Sequence, residues 1–263
     1  MRRHLRLFAL YFIQYAKVRL AYKADLIVSI ITSFAATAFG IVLVFLLFER
    51  ARSVAGWSFE EIVFLYGFGL IPLALFNTVS INLYFFGQTY IVEGKFDRVL
   101  LRPLHSLFQV MSEQFRLEAL TDVAVGLAAI GWAVGRMETP PPAEMWLLGA
   151  VCTVCGMALY LAVFLILTAV SFWVEDRVGL IPPVYNMLSF GRYPLDIYNP
   201  FIRFLLSWVV PFGFASFYPA AQLLGRPEHA QTFLAMPVVT LVFCVAAVLL
   251  WNRGVSNYSS TGS

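Results

Sequence analysis

Long runs without a charged residue dominate the chain. The first, 26–48, contains no Asp, Glu, Lys or Arg, and at 1.5 Å per residue it can cross a hydrocarbon core about 30 Å thick. A polar stretch with Glu49, Arg50, Arg52, Glu60 and Glu61 separates it from a second uncharged run carrying Pro72, Asn77 and Asn82. We place this second span at 62–88; the run continues to Val92, so the helix either tilts or extends beyond the bilayer. A shorter third span, 119–135, has Asp122 near its start and ends before Thr139-Pro140-Pro141-Pro142, which cannot continue a helix. The fourth, 145–174, is closed by Glu175, Asp176 and Arg177. Two broken apolar pieces follow: 178–191, short and interrupted by Pro182 and Pro183, and 204–225, interrupted by Pro211 and Pro219. Such pieces are tolerated at membrane depth only against protein or a water-filled cavity. The last span is 232–252, with Pro237 near its start.

Composition agrees with this pattern. Apolar residues make up 60% of the chain, charged residues 13%, and the mean hydropathy is +0.79, far from the soluble norm of roughly 45 to 50% and about 25%. A water-soluble fold is excluded. The expected fold is an all-α integral membrane protein with about six transmembrane helices. Ahead of the first span, Phe8, Phe12 and Tyr15 recur at helical spacing between basic residues, which predicts a helix lying in the membrane interface. Lys17 and Arg19 break that run and no small-residue cleavage site follows, so no cleaved signal is expected. Cys152, Cys155 and Cys244 all lie in apolar stretches and read as small buried hydrophobes rather than a disulfide or metal site.

Counted over alternate connections, 12 of the 18 Lys and Arg fall on one side. Arg50, Arg52, Arg136, Arg192, Arg203 and Arg226 fall on the other. Positively charged loops stay in the cytoplasm, so both termini, the loop 93–118 and the 175–177 triplet are expected inside.

Little catalytic chemistry is legible. There is no G-x-x-x-x-G-K-[ST] phosphate loop: Gly94-Lys95 lacks the upstream glycine and the following Ser or Thr. The chain is therefore not expected to be its own ATPase. His4, His105 and His229 have no ligand partner at i+4, so no metal centre or cofactor is read. Nothing in the pattern points to nucleic acid. Asp122 is the one ionisable group near a span interior, and its place near the span's end favours a solvated or capping carboxylate over an ion relay. Energy for any transport is expected from outside the membrane region.

The loop 93–118 carries the most information. Phe96, Val99, Leu100, Leu104, Leu107, Phe108, Met111 and Phe115 recur at three- and four-residue steps, with Lys95, Arg98 and Arg102 on other faces. Pro103 separates two short helices. By pattern alone, a helix resting on lipid headgroups and a docking surface for a soluble partner are equal readings.

The run Gly94-Lys95-Phe96-Asp97-Arg98-Val99-Leu100-Leu101-Arg102-Pro103-Leu104 resembles the cytoplasmic loop signature of a bacterial branch of the type 2 ABC export permeases. Gly191-Arg192-Tyr193-Pro194-Leu195-Asp196-Ile197, Phe217-Tyr218-Pro219-Ala220 and Trp251-Asn252-Arg253-Gly254 with Tyr258 and Ser259 are similar to the same branch. The resemblance implies a permease in the bacterial inner membrane, dimeric with an identical or related second permease chain and driven by separate cytoplasmic ATP-binding subunits. On that mapping Lys95, Phe96, Asp97, Arg98, Leu100, Arg102, Pro103 and Leu104 form the ATPase-coupling loop, 178–191 is the fifth span, and 197–224 is a re-entrant hairpin on the outer side. Membrane lipid surrounds the spans.

Asn77, Asn82 and Tyr84 on span two and Asn186 on span five are candidate cavity-lining groups, because polar groups in hydrocarbon are costly unless they face protein or water. For each, an interhelical hydrogen bond is the alternative. Two rival functions remain at this level: a non-transporting scaffold or assembly subunit, and a nucleotide-independent channel or scramblase.

The basic asymmetry makes a direct prediction. Single cysteines at Ser58, Ser106 and Ser260, in a background lacking the three native cysteines, are exposed to an impermeant thiol reagent on intact cells. Only the cysteine at 58 labels; labelling at 106 reverses the orientation.

Overall fold

The computed structural model describes residues 2–48, 53–174 and 179–259. The 175–177 triplet, Glu49, Arg50, Arg52, Ser260 and the first residue of the expected fifth span lie outside the described residues. Helix α1 (Arg2–Ala21) turns at Tyr22 into α2 (Lys23–Phe48). The central helix α3 (Phe59–Tyr84) continues through a π-helical turn, Gly87–Val92. Two short helices, α4 (Phe96–Leu100) and α5 (Ser106–Glu113), precede α6 (Leu120–Val134) and α7 (Met145–Val170). After α8 (Ile181–Met187) come the short pieces α9 (Pro200–Phe204), α10 (Phe212–Ala215), α11 (Phe217–Leu223) and α12 (Ala230–Phe233), then α13 (Met236–Asn257). No strand occurs among the described residues.

Among the described residues, five helices are long and apolar enough to cross a membrane: Lys23–Leu46, Phe59–Val92, Leu117–Val134, Met145–Val170 and Pro227–Asn257. This is an all-α membrane protein. α3 is its buried spine, packed against α6 on one side and α7 on another. The α3–α6 contact is a backbone approach: a Cβ on Gly67 would lie 2.8 Å from the Gly126 carbonyl, and one on Gly126 would lie 2.7 Å from the Gly67 carbonyl. Small residues at such crossings let helices come close where no hydrophobic drive exists between them.

The chain has two ends. At one, which we call the loop end, lie α1, α4 and α5 and the C-termini of α3, α7 and α13. At the other, the cap end, a capping box starts α3: Glu61 N–H donates to Ser58 Oγ and Ser58 N–H donates to Glu61. Arg226 donates to both Glu61 carboxylate oxygens and to Gly56 O, and its guanidinium lies 4.6 Å from the Trp57 ring centroid. Trp57 Nε1–H donates to Asp196 at 3.1 Å, His229 Nε2 lies 3.0 Å from the same carboxylate, and Arg203 is 3.4 Å away. Burial alone would raise the Asp196 carboxyl, but His229, the indole N–H and Arg203 outweigh it and hold it below the usual carboxylate range.

The proline-broken stretches are positioned by α3. From Tyr185, whose hydroxyl donates to Asn77 Oδ1 at 3.0 Å, the chain runs antiparallel to α3, past Arg192 beside Tyr66, to Asp196 beside Trp57. It does so with α8 and two 3-10 turns, Leu188–Arg192 and Leu195–Ile197, rather than one long helix. From Asp196 to Arg226 the chain dips and comes back. Ser216, midway, donates to Gly191 O, while both ends meet the cap cluster through Trp57 and Glu61.

The glycine crossing is testable. Gly126→Leu should destabilise the fold by about 2 kcal/mol through overpacking, whereas Gly131→Ala, where nothing lies within 4 Å of an added Cβ, should leave it unchanged or firmer. Thermal unfolding of the detergent-solubilised variants separates the two.

Candidate functional site

The loop between α3 and α6 is not a free helix pair; its apolar stripe divides. Phe96, Val99, Val110 and Phe115 are buried within the chain's own core, while Leu100 is 46% and Leu101 85% exposed. Phe96 sits in an aromatic box. Its ring centroid is 5.7 Å from Phe86 at the end of α3, 5.2 Å from Phe172 beyond α7, and 6.2 and 5.0 Å from Trp251 and Tyr258 at the end of α13. Edge-on pairs of this kind each add about 0.5 to 1.5 kcal/mol beyond burial.

Hydrogen bonds fix the register of the same loop. Tyr258 O–H donates to Asp97 Oδ1 at 3.0 Å and Trp251 Nε1–H donates to Ser106 Oγ at 3.1 Å. Burial first, and then the Asp97 carboxylate, push the Tyr258 hydroxyl up to about 12, so it remains a donor at neutral pH. Gln109 Nε2 donates to the carbonyls of Val99 and Leu104, which ties α5 to α4 across Pro103. Asn82 Nδ2 donates to Val110 O at 2.7 Å. Lys95 pairs with Glu93. With the interior faces occupied, Arg98, Leu100, Leu101, Arg102 and Pro103 form the outward surface, and Leu104 is half-buried at its edge.

The residues expected to meet a partner thus separate into two groups. Arg98, Leu100, Arg102 and Pro103 face outward with Lys95, whereas Phe96 is a mount within the chain and Asp97 is bonded to its tail. Sequence periodicity also gave no sign of what covers Phe115: the α1 stripe of Phe8, Phe12 and Tyr15 lies edge-on to it at 5.4, 5.1 and 5.8 Å. The available signal was the loop and tail motifs, 94–104 and 251–259, which meet at Phe96.

A cavity of about 800 Å³ lies between α2, α3, the start of α6 and α8. Asn77 and Asn186 line it. Tyr84 lines, with Asn77, a smaller neighbouring cavity of about 240 Å³. Asn82 lines neither, its amide being committed to Val110. Asp122, in the first turn of α6, faces the larger cavity, where Thr37 Oγ1 donates to it at 2.7 Å and Ser33 Oγ at 3.4 Å. Thr37 lies 14 residues into α2, about 21 Å from its start at 1.5 Å per residue. The crossing of α6 with α2 brings that first turn against the middle of α2. Among the described residues, no group of His, Cys, Asp and Glu could hold a metal ion.

A membrane-embedded helical body with a rigidly mounted loop at one end and a polar cavity inside is the frame of a transporter subunit. Residues 25–262 match the ABC-2 family transporter protein family, and the chain belongs to it. Members of this family are membrane subunits that associate with an ATP-binding subunit. No curated protein and no solved structure matches the chain.

The aromatic mount can be tested by proteolysis. Phe96→Ala should cost the loop's packing about 3 to 5 kcal/mol, and Tyr258→Phe about 1 kcal/mol. Limited trypsin cleavage at Lys95 and Arg98 should accelerate strongly in the first variant and slightly in the second, and remain slow in both if the loop is held elsewhere; the Arg102-Pro103 bond resists trypsin in every case.

Proposed function

We propose that this chain is the permease subunit of an ATP-driven exporter, and that loop 93–118 transmits the motion of a separate cytoplasmic ATPase to the membrane helices. The carrying observation is the division of the loop: an outward surface of Arg98, Leu100, Leu101 and Arg102, fastened from behind by Phe96 to the ends of α3, α7 and α13. An apolar patch ringed by arginines suits a groove on a soluble partner, with guanidinium groups making charge-assisted bonds that set register. A helix that only rested on lipid would not need so firm a mount.

On this reading the loop end and both termini are cytoplasmic and the membrane is the bacterial inner membrane. The fifth crossing is the stretch around α8, and 197–224 is a hairpin that enters the outer leaflet and returns. The short run alongside α3 and the common cap cluster at both ends of 196–226 support those assignments. α2 supports a dimer with an identical or related permease: Ile27, Val28, Ile31, Phe34, Phe39 and Val42 are all exposed on it. Lipid or the second permease covers such a face. The chain itself contributes no catalytic residue.

Arg102→Glu and Leu101→Ala should each weaken association with the partner ATPase more than about tenfold, in line with a docking hot spot of roughly 2 kcal/mol, and leave the helical body folded. Pull-down of the ATPase together with ATP hydrolysis in membranes reads the effect. Normal association and normal turnover in both variants, at equal expression, sink the assignment.

A further inference from the structure

The cavity holds two opposite charges that no direct ion pair joins among the described residues. Of its four charged lining groups, Glu118 and Arg116 pair at 3.5 Å, and Arg19, 3.5 Å from Glu118, also pairs with Asp25, so these two cations and two anions meet in direct pairs. Asp122 and Arg192 do not. Asp122 receives only the hydroxyls of Thr37 and Ser33, and no cation lies within ion-pair distance among the described residues. Arg192 reaches the Tyr66 hydroxyl at 3.4 Å and lies over the Tyr66 ring at 5.1 Å. Its Nε is buried without a hydrogen-bond partner, and no carboxylate pairs with it among the described residues.

The two groups are neighbours rather than strangers. Tyr66 O–H donates to Thr37 O at 3.1 Å, so one polar chain runs Asp122, Thr37, Tyr66, Arg192 along the cavity wall. A carboxylate and a guanidinium on a cavity wall among apolar helices, linked only through hydroxyls and not by a direct ion pair, are expensive to keep and mark a ligand pathway. The cavity's rim is of another character: Val28 and Phe39 of α2 line it and are 63% and 62% exposed. A volume near 800 Å³ suits a drug-sized molecule.

We propose that this cavity binds an amphiphile bearing one cationic and one anionic group, the anion on Arg192 and the cation on Asp122, with its apolar body along α2. The proposal rests on the permease reading, whose cargo chemistry it names. Guanidinium binds carboxylate or phosphate in a planar fork, while a lone carboxylate between two hydroxyls accepts an ammonium. A purely anionic ligand would leave Asp122 facing like charge, and a purely cationic one would do the same to Arg192. The zwitterion satisfies both.

The test uses the full chain in nanodiscs of phosphatidylglycerol, with radiolabelled N-dodecyl-N,N-dimethylglycine as the zwitterionic probe and dodecyltrimethylammonium and dodecanoate as single-charge probes. The zwitterion should bind at least about tenfold tighter than either of the others. Asp122→Asn should remove the preference over dodecanoate, and Arg192→Gln the preference over dodecyltrimethylammonium. Exchange of both charges, Asp122→Arg with Arg192→Asp, should restore zwitterion binding, which keeps the test decisive if one single variant fails to fold. Phosphatidylethanolamine added to the discs identifies the source: displacement of the probe makes the ligand a lipid headgroup, and lack of displacement makes it a free amphiphile. Equal binding of the three probes, or zwitterion binding untouched by both substitutions, overturns the proposal. Because no ATPase is needed, failure of the loop assignment would leave this result standing, and the reverse.

Discussion

Two glycines facing each other, Gly67 on α3 and Gly126 on α6, let the backbones touch at the centre of the molecule. In a medium as apolar as the helices themselves, dispersion and close fit replace the hydrophobic drive, so this crossing fixes where α3 stands. The remaining walls are referred to that helix. Its first turn holds the cap cluster through Glu61 and Trp57, its middle seats Arg192 and Ser216 against Gly69, and its end presents Phe86 to the loop.

Polar groups in such an interior have to be accounted for one by one. Asn82 holds a loop carbonyl, Thr168 reaches Leu83 O, and Ser207 and Tyr218 share a bond within the broken stretch. These are structural attachments. Asn77, Asn186, Asp122 and Arg192 gather instead around open volume, and that gathering separates a wall that must stay wet from a wall that must stay packed.

Much of this could be read from the chain. Charge-free runs of about 20 residues announce membrane helices because the bilayer sets their length, and 94–104 marked the loop. What the sequence did not disclose was which face of the loop turns inward. Three- and four-residue periodicity gives one stripe, and Phe96 and Leu101 lie on a short segment where both faces are apolar; only the aromatic box at Trp251 and Tyr258 decides that Phe96 is the inner one. Position along its own helix placed Asp122 in the first turn of α6, as found, but gave no sign of its partner, Thr37 in the middle of α2. Prolines 182, 183, 211 and 219 foretold interruption, though not that the pieces would align along α3.

The aromatic box has a mechanical meaning. Phe86, Phe96, Phe172, Trp251 and Tyr258 clamp the loop to three long helices at once, whereas α2 has no ring in that clamp. If the loop takes the push of an ATPase, as proposed, that push reaches α3, α7 and α13 together through the clamp, and reaches α2 by a separate route, through α1 on Phe115. The cavity lined by Asp122 and Arg192 lies between the two routes. On that proposal it is a chamber whose width follows the difference between what each route delivers.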